Sequence, residues 1–190
     1  MTTYLLHGGF TRAINDSNRS FFDTFAQRID VGGTILIVLF ASTEKKEERY
    51  ASFVHLIQER APDKSFNFEC ASEENFIDQV NRADGIYFHG GSTQILLSVV
   101  RKFSNLKEML KGKVIAGSSA GAYFIATYGA AHTGEHMRAG LGMLPIRLIC
   151  HFESQELPPS STSVKELMEA DGSLALVCLK DYEWKMIEEE

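Results

Sequence analysis

Residues 113–125 place a serine in a setting that suits nucleophilic chemistry. They read as a short buried strand, a sharp turn and a helix, and the turn Gly117-Ser118-Ser119-Ala120-Gly121 matches G-x-S-x-G. In this pattern a strained strand-to-helix turn exposes the serine oxygen, and the glycines let strand and helix pass closely. We therefore predict that Ser119 is a catalytic nucleophile. The alternative is a loop of small residues that only packs a helix onto a sheet.

A serine hydroxyl is a weak nucleophile and needs a base within hydrogen-bond reach. Of the six histidines, only His151 follows both the G-x-S-x-G turn and an apolar strand, residues 147–150. Histidine is the usual residue for this task, so we predict His151 as the general base. His55 falls within an amphipathic helix, and His132 and His136 fall in a polar segment, which makes them weaker candidates.

A third group, an acid, would fix the tautomer of the imidazole. Asp181 follows the apolar strand 174–179 and is the first choice, with Glu183 second. Glu153 and Glu156 are so near His151 in sequence that they would have to fold back on it. The alternative for Asp181 is an acid in a solvated turn.

The oxyanion of an acyl-transfer reaction needs two N–H donors. One is expected from the residue after the nucleophile, Ala120, and the second from another strand-end loop, where Gly90 and Gly91 suit the role. A plain turn is the alternative for this glycine pair. Gly8 and Gly9 could form a further part of the rim of the active site. They do not form G-x-G-x-x-G, so the sequence does not support a dinucleotide-binding site.

The rest of the chain predicts an α/β fold with three layers, a mostly parallel sheet carrying helices on both faces. Residues 34–40 form a continuous apolar run, typical of a strand covered on both faces, and strands alternate with helices along the sequence. We expect a single domain over residues 1–190, with residues 127–138 as a polar loop. Sites in such folds lie beyond the carboxyl ends of the strands, where residues 89–91, Ser119 and His151 would all fall.

Composition narrows the classes of function. The formal net charge of −6 argues against nonspecific binding to nucleic acid or to anionic membranes. The longest apolar run, residues 35–41, is too short to span a bilayer, and the start of the chain does not resemble a signal peptide. Three widely spaced cysteines, Cys70, Cys150 and Cys178, predict reduced, buried thiols, and together these features favour a cytoplasmic protein.

No metal or other cofactor is expected. Residues 132–136 match H-x-x-E-H formally, but that metal motif requires both histidines on one face of a stable helix. Gly134 lies inside the motif and the flanking residues read as loop. We therefore predict no metal site there.

The chain resembles peptidase family S51, the group of aspartyl dipeptidases (peptidase E) and cyanophycinases. The resemblance is carried by the strand 35–40 running into Ala41-Ser42, by residues 87–93 and 117–122, and by the histidine after a strand at His151. It implies a fold like that of class I glutamine amidotransferase domains, with serine in place of their cysteine.

The resemblance also implies roles for individual residues. Ser119 would be the nucleophile and His151 the base, with oxyanion donors at Gly91 and Ala120. The adjoining Ser92 and Thr93 would contact substrate, although the family loop often reads Gly-Gly-Asn-Thr, so that Ser92 stands where Asn is usual.

The predicted activity is that of a serine peptidase that hydrolyses small peptides or isopeptides, like an aspartyl dipeptidase, through an acyl-enzyme. The expected partner is a small peptide substrate, and a homodimer is left open. Arg12, Arg138 and Arg147 are candidates by charge alone for holding an aspartate side chain. Two alternatives are a catalytically silent domain that binds a small ligand and an esterase of the α/β-hydrolase class. The esterase order of serine, acid and histidine differs from the order expected here.

Overall fold

The computed structural model describes residues 1–132 and 136–190 and arranges their strands in two sheets. The ten strands of this part of the chain are β1 (Thr2–His7), β2 (Thr34–Val38), β3 (Asn67–Cys70), β4 (Gly85–Phe88), β5 (Val114–Ser118), β6 (Ala126–Gly129), β7 (Arg138–Ala139), β8 (Leu144–Ile149), β9 (Ala175–Cys178) and β10 (Trp184–Glu189). Six of them form the main sheet in the order β10-β1-β5-β4-β2-β3. Its neighbours are parallel except β10, which runs antiparallel to β1 at the edge.

Helices cover both faces of the main sheet. They are α1 (Asp16–Gln27), α2 (Lys46–Arg60), α3 (Phe76–Arg82), α4 (Thr93–Val100), α5 (Leu106–Met109), α6 (Ala120–Ile125) and α7 (Ser161–Glu169). In β2, Ile35 and Ile37 pack with α1 and α2, whereas Leu36 and Val38 pack into the cluster on the opposite face. Since successive side chains of a strand point to opposite faces, both sets must be apolar, which explains the unbroken apolar run. The predicted α/β fold with helices on both faces is confirmed.

The second sheet has the order β7-β6-β8-β9, and it corrects two details of the prediction. The segment 127–138 is not entirely loop, because β6 begins at Ala126, pairs parallel with β8 and pairs antiparallel with β7. The apolar strands at 147–150 and 174–179 belong to this sheet, as β8 and β9, and not to the main one. Strand β6 is short and contains small residues, so its pairing with β8, rather than local pattern, defines it.

The cysteines also differ from expectation. Cys150 is buried and Cys178 is half-buried, but Cys70 is exposed, because it ends the edge strand β3 of the main sheet. All three are free thiols. Among the helices of the described residues, none has the length and apolar character needed to cross a membrane.

Candidate active site

Ser119 sits between β5 and α6 in a backbone conformation that few residues adopt, with φ 50° and ψ −107°. The turn is held by close approaches that exclude a side chain. A Cβ on Gly117 would lie 2.3 Å from the Gly121 carbonyl oxygen, and a Cβ on Gly121 would lie 2.0 Å from that of Phe88. The Ser119 N–H donates to the His7 carbonyl at 3.0 Å, which ties the turn to β1. Both glycines of the motif are therefore required by packing.

Ser119, His151 and Asp181 lie in a hydrogen-bonded row. The Ser119 Oγ is 3.2 Å from His151 Nε2, and His151 Nδ1 is 2.7 Å from Asp181 Oδ1. The Asp181 carboxylate accepts a hydrogen bond from His151 Nδ1–H. In the neutral ring Nε2 then carries no proton, so it accepts a hydrogen bond from the Ser119 hydroxyl. The His151 side chain is 2% exposed and that of Asp181 20% exposed. This is the arrangement that general-base activation of a serine requires.

Two of the other acids considered for the third position, Glu183 and Glu153, are engaged elsewhere. The Glu183 carboxylate accepts from the Lys180 N–H at 2.9 Å. Glu153 forms an exposed ion pair with the Lys180 side chain at 2.6 Å. In the described residues, Asp181 is thus the acid that contacts His151.

The imidazole of His151 is fixed by the loop that follows β1. A Cβ on Gly9 would lie 2.0 Å from His151 Cε1, so only glycine leaves room for the ring, and Gly9 itself has φ 137°. The His151 N–H donates to the Gly8 carbonyl at 3.1 Å. Phe10 contacts the ring edge-on with centroids 4.8 Å apart, and His132 does so at 5.0 Å. Gly8 and Gly9 therefore support the imidazole.

Tyr123, one helical turn after Ser119, holds the backbone that leads into His151. Its hydroxyl accepts from the Cys150 N–H at 2.9 Å and donates to the Cys150 carbonyl at 3.2 Å. Burial raises the pKa of Tyr123 well above its ordinary value, so the hydroxyl stays protonated. The helix that carries the serine thereby also positions the histidine.

A buried network shapes the loop after β1. His7 Nε2 lies 2.9 Å from Asn18 Oδ1, and the Asn18 amide donates to the carbonyls of Phe10 and Ala13. The Gly9 N–H donates to His7 Nδ1 at 3.0 Å. Burial lowers the pKa of His7 to about 4, so this imidazole is neutral at pH 7 and its Nδ1 is an acceptor.

Backbone strain is concentrated here. Of the six non-glycine residues with positive φ in the described chain, five belong to this site or its immediate supports: Phe10, Ser119, His151, Glu153 and Tyr182. Such conformations are costly and persist where the surrounding structure imposes them, which is common at functional sites.

The glycine loop lies against the serine. A Cβ on Gly90 would be 3.6 Å from the Ser119 Cβ, and one on Gly91 would be 2.4 Å from the Ala41 carbonyl oxygen. The hydroxyl of Ser92 accepts from the Ile95 N–H at 3.3 Å and caps α4, whose first residue is Thr93. Ser92 therefore stabilises the start of α4, a role that the sequence analysis, which expected it to contact substrate, did not predict.

The family-model comparison matches residues 6–190 to peptidase family S51. The chain belongs to peptidase family S51. The resemblance drawn from the sequence is confirmed, and the chain is a member of a family of hydrolases that act as peptidases. A search of the curated proteins gives no match.

Two solved structures are similar to this S51 chain. A peptidase from an acI-B1 Actinobacterium superposes with a TM-score of 0.70 and 18% sequence identity, covering 99% of this chain and 84% of the other. A candidate peptidase E protein from Listeria monocytogenes EGD-e superposes with a TM-score of 0.64 and 18% identity, covering 98% and 94%. At this identity the likeness shows a shared fold.

The three arginines considered for binding an aspartate side chain in this S51 chain lie in different parts of the structure. The Arg147 guanidinium donates to main-chain carbonyls at the end of α7 and before β9, so it is part of the scaffold. Arg138 lies on β7, and Arg12 lines a cavity beside the site. Three residues of the H-x-x-E-H stretch, 133–135, lie outside the described residues. Within the described ones, no group of three or more His, Cys, Asp or Glu side chains could hold a metal.

Proposed function

We propose that the chain is a serine peptidase that hydrolyses small peptides or isopeptides through an acyl-enzyme on Ser119. The observation that supports it is the hydrogen-bonded row of Ser119, His151 and Asp181, at 3.2 and 2.7 Å, in a member of a peptidase family. This is the constellation of serine hydrolases, recognised by geometry and roles.

In the proposed reaction His151 Nε2 takes the proton of the Ser119 hydroxyl as the oxygen attacks the scissile carbonyl carbon. Asp181 stabilises the imidazolium through Nδ1–H. The tetrahedral intermediate collapses when His151 returns the proton to the leaving amine, which departs. A water molecule then gives its proton to Nε2 and attacks the acyl-enzyme, and the acid product leaves with Ser119 restored.

The developing oxyanion would be held by backbone N–H groups of Ala120 and of the glycine loop. Ala120 is the first residue of α6, so its N–H has no acceptor within the helix. In the described residues the N–H groups of Gly90 and Gly91 also form no hydrogen bond. Removing one such donor usually costs ~2.7–4 kcal/mol of transition-state stabilisation.

A fluorophosphonate probe tests the nucleophile. Wild type should be labelled covalently at one site, Ser119→Ala should be unlabelled, and Ser98→Ala, which removes an exposed hydroxyl on α4, should label like wild type. A panel of Asp-X, Ala-X and isoaspartyl dipeptides is then assayed for release of free amine, and the peptides that are cleaved identify the substrate class. A wild type that is neither labelled nor active on the panel would contradict the proposal.

A second function, a catalytically silent ligand-binding domain, is favoured by one observation. A cavity of about 410 Å³ adjoins the site but is not lined by Ser119, His151 or Asp181. If wild type stays unlabelled while a peptide ligand binds and raises the Tm, this reading replaces the first.

A further inference from the structure

The main sheet has two edges, β3 and β10, and the protein covers only the first of them with its own side chains. In β3 the backbone groups of Phe68 and Cys70 point away from the sheet, because the residues beside them bond to β2. Both outward carbonyls are occupied, since the Tyr50 hydroxyl donates to that of Phe68 at 3.0 Å and the Gln79 amide donates to that of Cys70 at 2.9 Å. An incoming strand therefore finds few acceptors at β3.

The opposite edge, β10, is open. The Gly8 N–H donates to the Glu183 carbonyl at 2.8 Å, which sets the alternation of the antiparallel ladder between β1 and β10. Trp184, Met186 and Glu188 consequently turn their backbone groups away from β1, and within the part of the chain that the structure describes these groups form no hydrogen bond. A strand edge with unpaired N–H and carbonyl groups is a template for another strand.

The side chains of β10 alternate between the two faces of the sheet. Lys185, Ile187 and Glu189 share one face, where Ile187 packs against the core. Lys185 is exposed, and Ile187 and Glu189 are half-buried. On the other face Glu188 forms an ion pair with Arg28 of α1, so its charge is already balanced. One face of β10 thus presents a cation, an apolar side chain and an anion at successive positions.

This order is complementary to itself in one antiparallel register. When Ile187 lies opposite Ile187 of a second copy, each Lys185 lies opposite Glu189 of the other copy. Met186 and Glu188 then exchange about four backbone hydrogen bonds across the new pair of strands. The other registers lack this match. One sets Lys185 against its own copy, and one centred on Met186 sets Lys185 against Ile187, without a counter-charge.

We propose that β10 is an interface at which two copies of this chain associate, in the register that places Ile187 on the two-fold axis. The two main sheets would join into one continuous sheet, with the two β10 strands at its centre. Opposite charges and β-branched residues directly across such a pair stabilise it, and like charges destabilise it. Lys185 also disfavours strands that lack a matching acid, which limits pairing with other proteins. The proposal does not depend on the proposed peptidase function.

Sedimentation equilibrium of the full chain tests the association. Over about 1–200 μM, wild type should shift from the 21.2 kDa chain mass toward twice that mass. Lys185→Glu should raise the dissociation constant about tenfold or more, because two attractive pairs become two repulsive ones. Lys165→Glu makes the same change of charge at an exposed position on α7 and should keep the wild-type constant. Circular dichroism verifies that each variant is folded.

A charge exchange tests the register. The double variant Lys185→Glu, Glu189→Lys forms the same two pairs with reversed sign, so its dissociation constant should return to within about threefold of wild type. Hydrogen exchange then locates the contact. The amides of Met186 and Glu188 should exchange more slowly in the dimer than in the Lys185→Glu monomer, whereas residues 67–70 of β3 should exchange alike in both.

Wild type that stays monomeric over the whole concentration range overturns the proposal. A dimer whose dissociation constant is unchanged by Lys185→Glu, or that shows no slowed exchange in β10, also overturns it, because the copies then associate elsewhere. If the double variant remains as weak as Lys185→Glu, the register with Ile187 on the axis is wrong.

Discussion

The serine and the histidine of the candidate site are positioned in different ways. Most of the Ser119 turn is contiguous in sequence, because β5, the glycines at 117 and 121 and helix α6 surround it, although β1 and β4 also contact it through the His7 and Phe88 carbonyls. His151 and Asp181 follow β8 and β9 of the second sheet, and the segments that carry them contact the loop after β1, where the backbone N–H groups of His151 and Tyr182 donate to the Gly8 and Gly9 carbonyls. The turn of the proposed nucleophile is thus formed mainly by contiguous residues, whereas the proposed base and acid depend on a seam, the contact of residues 151 and 180–182 with residues 8, 9 and 17.

This seam consists mainly of backbone contacts. A Cβ on Gly8 would lie 2.1 Å from the Lys180 carbonyl oxygen, the Tyr182 N–H donates to Gly9, and the Ser17 hydroxyl donates to the Tyr182 carbonyl at 2.5 Å. Changes at the seam should displace the imidazole and leave the serine turn intact. Four predictions test this difference, beginning with the largest effect.

Asp181→Asn should reduce kcat by about 10³–10⁴-fold. An amide cannot fix the tautomer with the proton on Nδ1, and it does not stabilise the imidazolium. Peptide hydrolysis measures the loss, and Glu183→Gln, which changes the acid two residues away, should keep most of the activity. Equal losses in both variants would contradict the assignment of Asp181.

Gly9→Ala should lower kcat by about 10²-fold. The added methyl would lie 2.0 Å from His151 Cε1, so the ring must move, and a displacement of roughly 1 Å in catalytic geometry has a cost of this size. The matched control is Gly172→Ala, because a Cβ there meets nothing within 4 Å and its backbone needs no positive φ. Hydrolysis at the wild-type rate in Gly9→Ala would show that the seam does not hold the imidazole.

The same contrast explains which parts could be predicted from the sequence. The serine turn depends on neighbours in sequence, so its motif and its strand–helix setting were visible in residues 113–125. The apolar run of β2 likewise predicted a strand buried on both faces. Asp181 could be proposed only as one of several acids after a strand, since the choice depends on tertiary docking.

Other features left little trace in the sequence. The pairing of β6 with β8 and the split into two sheets depend on long-range hydrogen bonds that short segments do not encode. From the sequence, Tyr123 is an ordinary helix residue and Asn18 belongs to a polar loop, and their roles follow from partners 27 and 11 positions away. The glycine pair Gly8-Gly9 at the end of a strand is the one local pattern in the sequence that indicates a close approach of backbone at this seam.

Tyr123→Phe should act on both stability and rate. It leaves the buried N–H and carbonyl of Cys150 without the hydroxyl, which should cost about 2 kcal/mol and lower the Tm by roughly 4–8 °C. It should also reduce kcat, by less than Gly9→Ala, because the backbone before His151 loosens while the ring keeps its packing. Calorimetry and kinetics provide the two readouts.

The matched control is Tyr50→Phe, which loses one hydrogen bond to the Phe68 carbonyl in a part of the main sheet remote from His151. It should lower the Tm and leave kcat unchanged. If the two variants lose rate equally, Tyr123 has no special role in positioning the histidine.

The smallest effect concerns pH and the buried imidazole of His7. Burial lowers its pKa from 6.5 to about 4, so the unfolded chain binds a proton more readily than the folded one. Stability is therefore fully present above pH 6.5 and is lost as the pH falls toward 4, by roughly 2 kcal/mol at pH 5. The pKa of His132 is also lowered to about 4, mainly by burial, and should add to the same trend.

The Tm measured from pH 7.5 to 5 should accordingly fall, and His7→Gln should flatten the profile. Glutamine keeps a donor for Asn18 but has no proton to gain, so the variant should have a lower Tm than wild type at pH 7.5 and a smaller difference from it at pH 5. His55→Gln, at an exposed position on α2, should retain the wild-type slope. A wild-type Tm that does not change over this range would show that the loop behind His151 tolerates a charged imidazole.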